Sequence, residues 1–150
     1  MKTYFLTAIL VLTTTAADAA SWADKRTSPA KGTKTCTVSL ISQSKYLEAH
    51  GYPNSRSLSK VLVSKNGSIS MGLSEDKYPG SKVYFLIGKH RYVGDGGYYV
   101  SVDSAGLQAL RNGEVIQFTY TNWPYRAEIN GADVLEDFET AYQDCVSFLN

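Results

Sequence analysis

KVLVSKNGSISMGL, residues 60–73, holds the clearest structural signal in the chain. Its central Asn-Gly pair is the strongest short hairpin signal, because both residues tolerate positive φ angles. A two-residue loop would set Val63 opposite Ser70, whereas a three-residue loop with Gly67 in a left-handed bulge sets Val63 opposite Ile69. The second register gathers the apolar side chains on one face, and register follows the buried face. The sequence therefore predicts an antiparallel hairpin closed by a three-residue loop.

Short strand patterns separated by turn residues surround this hairpin on both sides. Residues 82–87 (KVYFLI) are apolar on both faces, as expected of a central strand. Further strands are predicted at 36–42, 91–93, 98–102 and 115–121, and in a return strand whose buried face is Tyr125, Ala127 and Ile129. These patterns predict an α+β, mainly β domain: an antiparallel β-sandwich or a partly closed barrel of seven or so strands.

Two helices are predicted in the second half of the chain. Residues 104–111 form a short inserted helix, which Asp103 or Ser104 caps. The last helix is predicted at 133–149, where Asp133 with a glutamate three residues later resembles a capping box. Its apolar stripe consists of Leu135, Phe138, Tyr142, Cys145 and Leu149.

The first residues have the features of a secretory signal peptide at 1–19. A lysine is followed by an apolar run and then by small residues, with cleavage expected after Ala19. The polar residues 20–35 predict a flexible N-terminal arm docked by Trp22, and residues 36–150 predict one β-rich domain. The apolar run is shorter than the roughly 20 residues of a membrane-spanning helix, so no stable membrane insertion is expected.

The chain has two cysteines, Cys36 and Cys145, both in the predicted mature part. In an oxidising compartment two cysteines most simply form one bridge, and the alternative is a pair of free buried thiols. A Cys36–Cys145 disulfide is therefore predicted. It would join the first strand to the last helix.

Charge is unevenly distributed along a chain whose net charge is only +1. Residues 20–91 carry twelve basic and four acidic side chains, a net +8, and residues 92–150 carry two basic and nine acidic ones, a net −7. This asymmetry can indicate a face for a polyanion, or the two halves can interleave and cancel. Because the aromatic residues do not alternate with the basic ones, a nucleic-acid partner is not predicted.

Signatures of catalysis are scarce. His50 and His90 are the only histidines, so a histidine-rich metal site is excluded, and no nucleophile, phosphate-loop or zinc-protease motif is present. A pair of acidic residues could serve a hydrolase, but no pattern selects the pair. The sequence predicts no enzyme, no cofactor and no metal.

A glycine-rich stretch at 88–97 is the first candidate binding site. We expect it to form the exposed tip of a hairpin joining strands 82–87 and 98–102, with a cationic cluster that contacts an anionic partner. A solvated loop with a weak ion pair to Asp95 is the alternative. Trp123 and Tyr125, which flank a turn, are the aromatic residues expected to be most exposed. The candidate binding residues are Lys89, His90, Arg91, Tyr92, Asp95, Tyr98, Trp123 and Tyr125.

The C-terminal part resembles a known family in the spacing of its segments. The segments are LQALRNG (107–113), the strand at 115–120, AEING (127–131) and FETAYQDC (138–145). Together they resemble the invasion-associated locus B family of exported bacterial proteins, in which a leucine-leucine-glycine helix precedes a strand and a final helix closes the domain. The resemblance implies a periplasmic β-rich domain without recognised catalysis and with a link to host-cell interaction. It carries over no site residues.

Three functions follow as hypotheses. The first is an exported, periplasmic or secreted, non-enzymatic binding protein whose partner is an unknown protein or an anionic surface. The second is a periplasmic enzyme inhibitor or immunity-like protein, which should present one protruding loop rather than a broad face. The third is a carboxylate-dependent hydrolase, which should have a deep pocket containing two or three acidic residues.

Overall fold

The computed structural model describes residues 21–40 and 59–150. These residues form nine strands and two helices. The strands are β1 (Ser21–Thr27), β2 (Lys34–Leu40), β3 (Ser59–Val63), β4 (Ile69–Leu73), β5 (Lys82–Ile87), β6 (His90–Asp95), β7 (Tyr99–Val102), β8 (Ile116–Thr121) and β9 (Glu128–Asp133). The helices are α1 (Ser104–Arg111) and α2 (Phe138–Leu149). The predicted signal peptide and His50 lie outside the described residues.

The strands are arranged in two antiparallel sheets. One has the order β1-β2-β3-β4-β7 and the other the order β6-β5-β8-β9. Their inner sides contribute to a single apolar core, which also includes side chains of both helices. The sheets do not close into a barrel, so the prediction of a mainly β sandwich with an inserted helix and a C-terminal helix is confirmed.

The β3–β4 hairpin forms in the predicted register. Val63 pairs with Ile69, and Gly67 has a φ of 80° in the loop between them. The Tyr142 hydroxyl of α2 donates a 2.7 Å hydrogen bond to the Gly67 carbonyl. The loop is therefore a contact point for the last helix as well as a turn.

Strand β5 is central in its sheet, as predicted, with β6 and β8 on its two sides. Val83, Phe85 and Ile87 point into the core and are at most 2% exposed. Tyr84 and Leu86 point to the outer face of the sheet and are half-buried. The strand is thus apolar on both faces, but only one face contributes to the main core.

Residues 21–27, predicted as part of a flexible arm, instead form the edge strand β1. This strand pairs with β2 from Ser21 opposite Leu40 to Thr27 opposite Lys34. Its side chains are mostly polar and only Ala23 packs against the core, so its sequence lacks the apolar alternation of a buried strand. Backbone hydrogen bonds to β2 order the segment. Trp22 is 41% exposed and is not docked in the core.

Helix α1 forms at the predicted residues. The Asp103 carboxylate is the N-cap and accepts a 3.0 Å hydrogen bond from the Gly106 amide. Of the two predicted caps, Asp103 is therefore the one used. Gly106 lies so close to Tyr92 and Val102 that an added Cβ would overlap both side chains.

The last helix is shorter than predicted, because residues 128–133 belong to β9. Asp133 is fully buried, and its carboxylate accepts a 2.6 Å hydrogen bond from the Ser59 amide. The predicted capping box is therefore wrong. The helix begins after Asp137, which has a φ of 54° and makes no side-chain capping bond. The stripe on α2 is confirmed: Phe138, Tyr142, Cys145 and Leu149 are buried.

The predicted inner face of the return strand is also wrong at two positions. Tyr125 is 81% exposed and Ala127 is exposed, because both precede β9 and belong to the turn from β8. Ile129 does pack against the core.

The predicted Cys36–Cys145 disulfide is confirmed and joins β2 to α2 with a Cα–Cα distance of 5.4 Å. Two lysines add contacts to the same helix. Lys25 forms a 2.7 Å ion pair with Asp144, and the Lys34 ammonium donates a 2.8 Å hydrogen bond to the Phe148 carbonyl. The Lys25–Asp144 pair joins the basic first half of the chain to the acidic second half.

Candidate functional site

Three loops meet at one end of the four-stranded sheet. The pairings of Lys82 with Asp95 and of Thr121 with Glu128 lie at this end. The segment 74–81 enters β5 here, residues 96–98 leave β6 here, and residues 122–127 connect β8 to β9. Side chains from all three loops can therefore contribute to one surface.

The turn at 122–127, called the aromatic turn below, is closed by Asn122. The Asn122 amide donates to the Ala127 carbonyl at 2.9 Å, and the Ala127 amide donates to the Asn122 side-chain oxygen at 3.1 Å. The Arg126 amide donates to the Asn122 carbonyl at 3.0 Å. The peptide between Trp123 and Pro124 is cis. The three hydrogen bonds made by Asn122 close the turn.

The segment 74–81 supports the aromatic turn from one side. The Trp123 amide donates to the Asp76 carbonyl at 3.1 Å, and the Tyr78 amide donates to the Thr121 carbonyl at 2.7 Å. The Tyr78 ring lies 5.6 Å from the Trp123 ring, and the Arg126 guanidinium lies 5.2 Å from the Tyr78 ring. Tyr78 therefore contacts both the tryptophan and the arginine.

Large aromatic side chains at this end are exposed. Trp123 is 52% exposed, Tyr125 is 81% exposed and Tyr98 is 71% exposed. Isolated exposed apolar residues are common, but tryptophan, tyrosine and arginine together are typical of the residues that dominate protein interfaces. The predicted exposure of Trp123 and Tyr125 in the turn is confirmed, and the other placement of Tyr125, on a buried strand face, is the one that is wrong. Tyr78 and Arg126 were not among the predicted site residues.

The predicted exposed tip at 88–97 does not form. Only Gly88 and Lys89 make the turn, and residues 90–95 form a full strand paired with β5. The backbone groups of the buried strand β5 need hydrogen-bond partners, so residues 90–95 pair with it although their sequence is largely polar. Strand β7 pairs with β4 in the other sheet, not with β5.

The predicted cationic cluster is likewise not formed. His90 and Arg91 are consecutive residues of a strand, so their side chains point to opposite faces. The Arg91 guanidinium lies 5.3 Å from the Tyr84 ring on the outer face. Asp95 pairs with Lys82 at 3.4 Å rather than with a residue of the cluster, and both side chains of that pair are largely exposed.

Tyr92 contacts Asp103 and does not form part of an exposed cluster. Its hydroxyl donates a 2.6 Å hydrogen bond to the Asp103 carboxylate, which also caps α1. Burial, followed by this hydrogen bond, raises the pKa of Tyr92 to about 12. The hydrogen bond from Tyr92, with the one from the Gly106 amide, lowers the pKa of Asp103. The pair ties β6 to the start of α1.

Replacing Tyr92 by phenylalanine is expected to lower stability by up to about 1 kcal/mol near neutral pH, because one partly exposed hydrogen bond is lost. A tyrosine whose pKa is raised in the folded state contributes stability below the unfolded pKa of about 10. That contribution is lost as the pH rises through the folded pKa of about 12. The difference in unfolding free energy between wild type and variant, measured with urea, should therefore shrink from about pH 10 upward. A constant difference would contradict the Tyr92–Asp103 contact.

A cleft with a volume of about 440 Å³ lies at the other end of β5 and β6, away from the aromatic turn. Gly88, Lys89, His90 and Glu114 line it, and Glu114 is its single carboxylate side chain. Four clefts lined by described residues contain at most one carboxylate each, whereas a hydrolase would need two or three acidic residues in a deep pocket. In residues 21–40 and 59–150 no group of three potential metal ligands is close enough to hold an ion.

Comparison of the chain with protein families, with curated proteins and with solved structures finds no significant match. None of the helices in the described part is long and apolar enough to cross a membrane.

Proposed function

We propose that the protein is an exported, non-enzymatic binding protein that recognises a protein partner through the aromatic turn. The observation that carries the proposal is the presentation of Trp123 and Tyr125 to solvent on a turn held by Asn122 and segment 74–81. Binding costs less when the contacting residues are already ordered, because little conformational entropy is then lost. Tryptophan and tyrosine bring large apolar areas and polar tips to such a contact.

Export is supported by the disulfide and by the features of the first 19 residues. Disulfides persist in oxidising compartments and are rare in the cytosol. On the basis of the resemblance to the invasion-associated locus B family, we propose further that the protein binds its partner outside the cytoplasm, during interaction with a host cell.

An inhibitor is the second candidate, and one observation favours it. The aromatic turn is a single ordered loop at the end of a sheet, and a loop of this kind suits the active-site cleft of an enzyme. The two candidates make the same contact but differ in its consequence. An inhibitor lowers the activity of its partner, whereas a binding protein does not.

The test is affinity capture with the purified, oxidised protein from extracts of the cell envelope and of host cells. We expect Trp123→Ala to weaken capture of the principal partner tenfold or more, since loss of a central aromatic contact costs about 2 kcal/mol or more. Trp22→Ala is the matched control, because Trp22 is a similarly exposed tryptophan on the other sheet. Unfolding of each variant is followed separately, so that loss of binding is not confused with loss of fold.

Equal capture by wild type and by the Trp123→Ala/Tyr125→Ala double variant would overturn the proposal. If the captured partner is an enzyme, its activity with and without the purified protein separates the two candidates. A fall in activity that Trp123→Ala reverses identifies an inhibitor.

A further inference from the structure

A groove with a volume of about 460 Å³ lies on the outer face of the five-stranded sheet. Its lining extends from Asp24 and Arg26 on β1 to Tyr99 on β7, across β2 and β3. The aromatic turn is not part of its lining. Sites for small ligands usually have volumes of about 300–1,000 Å³, so the groove can hold one small polar molecule.

Tyr99 forms one wall of this groove, and Gly72 makes its position possible. An added Cβ at Gly72 would come within 2.6 Å of the Tyr99 ring. The ring therefore lies against the backbone of β4, where a side chain would displace it. The Lys60 ammonium lies 5.7 Å from the centre of the same ring and brings a positive charge to this wall.

Arg26 brings a second positive charge from the opposite side. Its guanidinium donates to one Asp24 carboxylate oxygen, at 3.1 Å through Nε and 2.8 Å through Nη2. A guanidinium has five N–H donors, so three are not used by this pair. The Arg26 side chain is 76% exposed. With Arg26 and Lys60 against Asp24, the groove has a net positive charge.

Hydroxyl groups form the floor. Thr35, Thr37 and Ser39 follow one another along β2 on alternate residues, about 7 Å apart. Each hydroxyl can donate and accept a hydrogen bond. Strands β2 and β3 are paired on both sides, so their backbone groups are used within the sheet and recognition must come from side chains.

We propose that this groove binds an acidic sugar. Its carboxylate or sulfate would be attracted by the positive charges of Arg26 and Lys60, and its ring hydroxyls would contact the threonine and serine hydroxyls of β2. The floor of the groove is formed by the interior strands β2 and β3, whereas a peptide that adds a strand would pair at the outer edge of β1 or β7. A ligand with one anionic group and several hydroxyls complements both the net positive charge of the groove and the hydroxyl groups of its floor. The site is separate from the aromatic turn and does not depend on the function proposed for it.

The first experiment is a titration of the isotope-labelled, disulfide-bonded protein, followed by amide chemical shifts. The probes are glucuronic acid, glucose 6-sulfate, glucose and inorganic sulfate. We expect saturable shifts at residues of β2, β3 and β7 with an acidic sugar, and binding at least tenfold weaker with glucose. The two acidic sugars distinguish a carboxylate ligand from a sulfate ligand. The absence of saturable shifts with either, or equal affinity for glucose, would overturn the proposal. Equal affinity for sulfate alone would also overturn it, because the hydroxyl floor would then contribute nothing.

Variants give the second, independent test. Lys60→Met keeps the aliphatic stem and removes the charge, and it should weaken acidic-sugar binding tenfold or more. Asp24→Asn should strengthen that binding severalfold, because it removes the single acidic side chain of the groove. Lys65→Met, in the β3–β4 loop and outside this groove, is the control and should change nothing. Weaker binding by Asp24→Asn, or an equal effect of Lys65→Met, would contradict the assignment.

Discussion

Replacing Cys36 and Cys145 together by alanine is expected to lower the free energy of unfolding by about 4–5 kcal/mol. The two residues are 109 positions apart, and a bridge across so long a segment removes much of the freedom of the unfolded chain. Domains of this size have total stabilities of about 5–15 kcal/mol, so the loss is about a third or more of the total. Urea unfolding of the oxidised wild type and of the double variant measures the difference.

The other contacts that join α2 to the sheet provide the control. Lys25→Ala removes the partly exposed pair with Asp144, which should contribute less than about 1 kcal/mol. A loss from the double cysteine variant no larger than that from Lys25→Ala would show that the apolar stripe of α2 is sufficient to hold the helix.

Replacing Phe85 by alanine is expected to lower stability by about 3–5 kcal/mol. Phe85 is 1% exposed at the centre of β5, and truncating it leaves a cavity between the sheets. Leu86→Ala is the matched control on the same strand, because Leu86 faces outward and is half-buried. Its loss should be less than half that of Phe85→Ala, as measured by urea unfolding.

Similar losses at the two positions would mean that the outer face of this sheet is as closely packed as the core. In that case β5 would be buried on both faces, as its sequence alone suggests. The large difference that we expect depends on which face the second sheet covers.

Several elements were predictable because their signals are local. The Asn-Gly loop and the apolar residues around it determine the β3–β4 register, and Asp103 with the helical spacing after it determines α1. The cysteine pairing was predictable because the chain contains only two cysteines. The exposure of Trp123 followed from the turn at a proline, whereas the sequence placed Tyr125 both in this turn and on a buried strand face.

Elements whose stability comes from distant partners were not predictable. Strand β1 has no apolar alternation and is ordered by pairing with β2. Asp133 has the local pattern of a helix cap, but pairing of β9 with β8 and the bond to the Ser59 amide place it in a sheet. Residues 88–97 were expected at an exposed tip because they are polar and glycine-rich, with a strand only at 91–93, whereas residues 90–95 form the whole partner strand of β5.

The candidate sites show the same division. The aromatic residues of the turn could be predicted from the sequence because they are close together in it. Their contact with Tyr78 could not, because it depends on how two separate loops pack in the fold. The groove combines Arg26, Lys60 and Tyr99, which are far apart in the chain and have no common motif. The Asn-Gly turn, the Asp103 cap and the cysteine pair are properties of short segments or of composition, so the amino-acid order alone determines them. Burial of the whole apolar core decides which strands become neighbours, and therefore which distant side chains share a surface. The free energy of that burial is gained only when the whole chain is folded.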